Sequence, residues 1–178
     1  MRHPGILSSL LLVLILSIGG AASACAQGLP GGASSLNETH GDWTVACMIV
    51  ETTARCTMMQ TYVSGENRQR VLSVQLAALD GDTAEGVLIL PFGLKLDAGI
   101  RLDIDEGEAF GPLRFSTCLP AGCVVPLAFD VAMVAALRAG ASLSLSAATN
   151  DTGQEIVFSI SLAGFTSALD RIVELAPN

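Results

Sequence analysis

Lysine is almost missing from this chain: Lys95 stands alone, and the eight arginines are scattered singly, against seventeen acidic residues and a formal net charge of -8. Without a basic stripe nothing is on hand to neutralise phosphates, which argues against nucleic acid and against electrostatic docking on anionic lipid. Histidine is as scarce, with only His3 and His40. Acid–base or nucleophilic catalysis through a Ser-His or Cys-His pair would have to run through His40, at the edge of the N-terminal linker, and neither a G-x-S-x-G nor an S-x-x-K motif occurs. The sequence also lacks a P-loop and a G-x-G-x-x-G run, which removes the common phosphate cradles. Tryptophan and tyrosine occur once each, Trp43 and Tyr62, too few for the stacked aromatic platform of a sugar-binding sandwich. The chain is therefore read as no enzyme, with no cofactor, with His40 as a solvent-exposed spectator and Trp43 as a core residue.

What is present begins with a leader. Arg2 and His3 precede Ile6 to Ile18, apolar apart from three serines, and the small residues Gly19 to Ala24 follow. This is the layout of a secretory signal peptide, cut after Ala24 or Ala26, and its apolar core falls short of the ~20 residues that span a membrane. Two other fates stay open: retention as an anchor that includes Gly19 to Ala26, or lipidation at Cys25. The expected organisation is a signal peptide over 1–26, a flexible Gly/Ser-rich tether over 27–40, and one domain over 41–178. The expected location is the periplasm or outer envelope of a Gram-negative bacterium, with membrane contact only through a retained N-terminus.

Behind the leader lie Cys47, Cys56, Cys118 and Cys123. In an oxidising compartment an even set reads as a disulfide framework, and four cysteines allow three pairings. Leu119-Pro120-Ala121-Gly122 suits a type I turn, which would set Cys118 opposite Cys123 in a hairpin and within disulfide reach. Cys47–Cys56 would then follow by elimination, although sequence alone does not close the choice. A redox pair needs two intervening residues where this hairpin has four, and the spacing of eight between Cys47 and Cys56 misses the usual zinc pattern.

The rest alternates with period two. Leu72, Val74 and Leu76 face one way, as do Ile100, Leu102 and Ile104, then Leu143 and Leu145, then Ile156, Phe158, Ile160 and Leu162. Half-buried strands punctuated by glycine turns indicate an all-β fold, a sandwich or a barrel, and the expected one is an antiparallel β-sandwich. Two short helices interrupt it. Asp130 caps "VAMVAALRA", which Gly140 ends, and Thr166 or Ser167 is the expected cap of a last segment through "SALDRIVEL". The cluster Asp103, Asp105, Glu106 and Glu108 is a weak calcium candidate whose plainer reading is a solvated hairpin tip. No metal is expected.

Six segments in order, "GDWTVAC" (41–47), "CTMMQTYV" (56–63), "QRVLSV" (69–74), "LPFGL" (90–94), "TCLPAGC" (117–123) and "AGFTSALD" (163–170), resemble the invasion-associated locus B family of exported bacterial proteins. The resemblance covers nearly all of the chain behind the leader. It implies an all-β sandwich in the envelope of alphaproteobacteria, linked in pathogenic members to entry into host erythrocytes, with no enzymatic activity established. The expected function is thus a non-catalytic module that binds an unknown protein partner or cell-surface component. The alternatives are a periplasmic small-ligand or metal-binding protein, and an accessory subunit of a membrane complex held by an uncleaved anchor.

Overall fold

Alternation of apolar residues becomes two antiparallel sheets. The computed structural model describes residues 28–63, 70–107 and 109–176. The segment expected to be a signal peptide, with Cys25, and Glu108 lie outside the described residues. Seven strands form the larger sheet: β1 (Ser35–His40), β2 (Trp43–Val50), β3 (Thr53–Val63), β4 (Arg70–Ala78), β5 (Ala84–Leu90), β8 (Thr117–Leu119) and β9 (Gly122–Phe129). Four form the smaller: β6 (Ile100–Ile104), β7 (Phe110–Leu113), β10 (Ser142–Ala148) and β11 (Glu155–Ser161). The orders are β1-β2-β3-β4-β5-β9-β8 and β11-β10-β6-β7. Helix α1 (Val131–Ala139) links β9 to β10, and α2 (Phe165–Leu175) ends the described chain against β1 to β4.

The core falls where the period-two pattern places it. Leu72, Val74, Leu76, Leu102 and Leu145 are each only 1% exposed, so the alternate faces of β4, β6 and β10 are buried as expected. Helix α1 also matches the expected span: the Asp130 carboxylate accepts the Met133 N–H at 2.9 Å, and Val134 and Leu137 are buried. Both disulfides form, Cys47–Cys56 and Cys118–Cys123, and each joins residues directly opposite in a hairpin, with Cα separations of 4.1 and 3.9 Å. The second hairpin turns over Pro120 and Ala121 alone. Gly122 stands at φ 137°, and a Cβ there would meet the Leu90 carbonyl oxygen at 2.4 Å, so only glycine fits between the turn and β5.

Three expectations need correction. The tether does not extend to residue 40: Ser35–His40 pairs with β2 in full register, and Leu29 is buried in the core. This strand is a polar sheet edge, with Leu36, Glu38 and His40 half-buried and the residues between them exposed, so its composition imitates a linker. Helix α2 starts before Thr166 and Ser167, with Gly164 at its N-cap in the left-handed region, φ 87°. A Cβ on Gly164 would lie 2.0 Å from the His40 carbonyl oxygen, and this close approach sets Phe165 inward. His40 is half-buried, not a free surface residue, and its Nε2 lies 3.4 Å from Glu38 Oε2.

Glu38 clasps the ends of the domain together. Arg171 on α2 donates from Nε and Nη2 to both of its carboxylate oxygens, at 2.7 and 2.8 Å, and from Nη1 to Glu174 at 2.8 Å. The two hydrogen bonds from Arg171 hold the Glu38 carboxyl below its ordinary 4.5, with His40 adding to the effect and partial burial opposing it. A carboxylate with a depressed folded pKa contributes stability that is complete above 4.5 and is lost as pH falls through the folded value. Thermal unfolding is therefore expected to shift to lower temperature in that acidic window. In Glu38→Gln the midpoint should be lower at neutral pH and its acid-induced fall smaller, as read by circular dichroism melts at stepped pH.

Candidate interaction surface

The residues that face inward between α2 and the larger sheet account for the single tryptophan and the single tyrosine. Trp43, 1% exposed, meets Phe165 edge-on with ring centroids 5.4 Å apart, and its Nε1–H donates to the Ser161 carbonyl at 3.0 Å. Gln60 donates to the same carbonyl at 3.1 Å. The Ser161 N–H in turn donates to Gln60 Oε1 at 3.1 Å and to the Tyr62 hydroxyl at 2.9 Å, while that hydroxyl donates to Gln60. Ser161 closes an edge strand whose outward backbone groups have no ladder partner there, and three side chains from β2 and β3 satisfy them. This arrangement joins the two sheets; it holds no exposed reactive group.

The described members of the weak calcium candidate, Asp103, Asp105 and Glu106, do not converge. Asp105 turns back onto the fold, its carboxylate accepting the Ala141 and Ser142 N–H groups at 2.9 and 2.8 Å and the Ser142 hydroxyl at 3.3 Å. Those backbone hydrogen bonds, Ala141 first, hold its carboxyl below the usual carboxylate range. Asp103 lies opposite Ser144 in the sheet, and Glu106 is exposed in the turn at φ 60°. Among the described residues no three His, Cys, Asp or Glu side chains are placed to share a metal ion.

Sequence reasoning missed the outward face of the larger sheet. Strand register sets its side chains in rows. One row runs Ala46, Thr57, Ala77, Glu85, Ala128, and the next runs Thr44, Met59, Gln75, Val87, Pro126. On the side of the first row where the described chain begins, Met48 faces Arg55, and Leu79 follows Ala77 with the same outward phase. Asp80 fixes that corner by accepting the Asp82 and Thr83 N–H groups and the Thr83 hydroxyl, at 3.0, 2.6 and 2.8 Å. Met48 and Leu79 are 58% and 63% exposed, although both are large and apolar. An open groove of about 530 Å³ crosses the rows, lined by Thr57, Gln75, Ala77, Glu85, Val87 and Pro126 among others, with Gln75 donating to Thr57 at 3.2 Å.

Among the described outward side chains of this sheet only Arg55 and Glu85 are charged, in a chain with seventeen acidic residues. A solvated sheet face normally carries interspersed charges, and small uncharged residues over five strands are the makings of a contact surface. The only positional signal for it lies in outward residues such as Thr57, Ala77 and Ala128 being small where lysine and glutamate are common. A second concavity, of about 310 Å³, opens where β7 diverges from β9 and α1. It is lined by Leu102, Phe110, Leu113, Phe129 and Met133, with Asp130 beside them.

The two packed sheets, the local disulfides and the covering helix define a disulfide-stapled antiparallel β-sandwich. The chain belongs to the invasion-associated locus B family, whose model, described as "Invasion associated locus B (IalB) protein", matches residues 43–173. It is 47% identical over 154 residues to an invasion protein B homolog of Brucella abortus, covering 86% of this chain and 88% of that one. It is 40% identical over 150 residues to invasion protein B of Bartonella bacilliformis, covering 83% and 80% respectively. The crystal structure of invasion associated protein B from Bartonella henselae superposes with a TM-score of 0.73 at 35% identity, over 79% of this chain and 97% of that one. No helix among the described residues is long and apolar enough to cross a membrane.

Proposed function

We propose that this protein is an exported, non-catalytic envelope module that binds a protein partner through the outward face of its seven-stranded sheet. The observation that carries the reading is the paucity of charge there: a face of small and apolar side chains, bordered by exposed Met48 and Leu79, on an otherwise acidic molecule. Supporting it, the side-chain contact of His40 among the described residues is with the Glu38 carboxylate inside the clasp, not with a hydroxyl or thiol. The relatives' names connect those proteins with invasion, and an envelope location suits a surface of this kind. Ala77→Arg places a charged side chain in the middle of the face without touching the core. Cross-linked capture from native envelope membranes should recover a stoichiometric protein with the wild type and lose it at least about tenfold with this variant, the scale of a hot-spot loss. Equal recovery by both would remove the face from the binding.

The apolar concavity lined by Phe110, Phe129 and Met133 favours a second reading, a carrier of a small apolar molecule. Native mass spectrometry of protein taken directly from its envelope would then show an adduct that Met133→Trp displaces.

A further inference from the structure

Resting on the reading of the outward sheet face as a protein-binding surface, we propose that its occupant is the same face of a second copy of this chain. The charges make the face self-complementary. Arg55 on β3 and Glu85 on β5 are both exposed, and neither has an ion-pair partner among the described residues. They stand two strands and one row apart, about 12 Å from strand and residue spacing. A two-fold axis lying in the interface, perpendicular to the line joining them and crossing its midpoint over β4, sets Arg55 of each copy against Glu85 of the other. A two-fold interface requires this self-matching, since every contact is made twice.

The same axis passes beside Ala77 and Leu79. Ala77 is small enough for two sheets to approach to about 10 Å, and the exposed Leu79 side chains would meet each other there. With a formal net charge of -8, two copies repel across most of their surfaces, whereas the described side chains of this face carry one charge of each sign. Five strands at about 4.8 Å by three rows at about 6.8 Å give roughly 500 Å² per copy, so the pair buries about 1,000 Å² in all, the lower bound of a specific interface. The dimer is therefore reversible and dissociates on dilution.

Sedimentation velocity of the exported chain with its disulfides intact, over a wide range of concentration, tests the proposal. The wild type should pass from monomer to dimer. Arg55→Glu and Glu85→Arg should each weaken association at least about tenfold by placing like charges together, and the double swap R55E/E85R should restore it. Both positions are exposed, so all three variants keep the core; unchanged circular dichroism melts confirm that. A monomer at every concentration, or a double variant as weak as the single ones, overturns the second copy as occupant. A monomeric wild type whose envelope capture is nevertheless lost on Ala77→Arg leaves the binding face standing and removes only the self-association.

Discussion

Trp43→Ala is expected to destabilise the domain by about 3–5 kcal/mol, the usual cost of emptying a buried tryptophan site. The ring is the largest fully buried side chain, and it lies between β2, the start of α2 and the end of β11, so the void it leaves borders three elements. Loss of the edge-on contact with Phe165 accounts for about 0.5–1.5 kcal/mol of interaction beyond area burial. The Ser161 carbonyl is not orphaned, because Gln60 still donates to it, which keeps the polar part of the cost small. Trp43→Phe should accordingly recover more than half of the loss. Urea titrations followed by far-ultraviolet circular dichroism measure both, since the only tryptophan emission is gone. A loss below about 2 kcal/mol for Trp43→Ala would mean that the site collapses around the vacancy and that α2 is held by other contacts.

Removing the disulfides should give the next largest effect, and the two should differ. The bridges span nine and five residues, and loop-closure entropy assigns about 2.6 kcal/mol to the first and about 2.1 kcal/mol to the second. Packing widens the gap. Cys47, 4% exposed, and half-buried Cys56 both pack with the main core, whereas in the second bridge Cys123 is buried but Cys118 is exposed on the short edge strand β8. The double variant Cys47→Ala/Cys56→Ala should therefore lose more stability than Cys118→Ala/Cys123→Ala in urea melts, each extrapolated with its own slope, which rises as the unfolded chain is released. The reverse order would show that closing the β8–β9 edge matters more than the core bridge. Losing both removes about 5 kcal/mol, comparable with the whole stability of a marginal domain, so the reduced chain stands near unfolding.

Local signals made much of this fold legible. The alternation at Leu72, Val74 and Leu76 gave strand phase because one face is buried. Asp130 and Gly140 bounded α1 because cap chemistry acts within a single turn. Cys118 and Cys123 pair as the turn between them suggests, and Cys47–Cys56 is the pair that elimination leaves. What could not be read depended on partners far along the chain. Strand β1 is held by β2 and by Arg171, 133 residues away from Glu38, and its own residues are polar. Gln60 and Tyr62 looked like ordinary strand residues until Ser161, about a hundred residues later, supplied the backbone groups they satisfy. The start of α2 was misplaced because Thr166 and Ser167 are good caps by composition, whereas the approach of His40 to Gly164 is a tertiary fact. The outward face escaped notice because its mark is the shortage of charged side chains across five strands, and those strands adjoin only once the sheet is assembled.

The clasp between Glu38 and Arg171 has a consequence for the order in which the molecule can be completed. Its two halves lie on β1 and α2, 133 residues apart, so β1 is held by β2 alone until α2 has docked. Both hairpin staples can close from local segments, but the seal over Trp43 waits for α2. A chain deprived of α2 would keep both disulfides yet stand as an open sandwich, with the Trp43 ring laid bare.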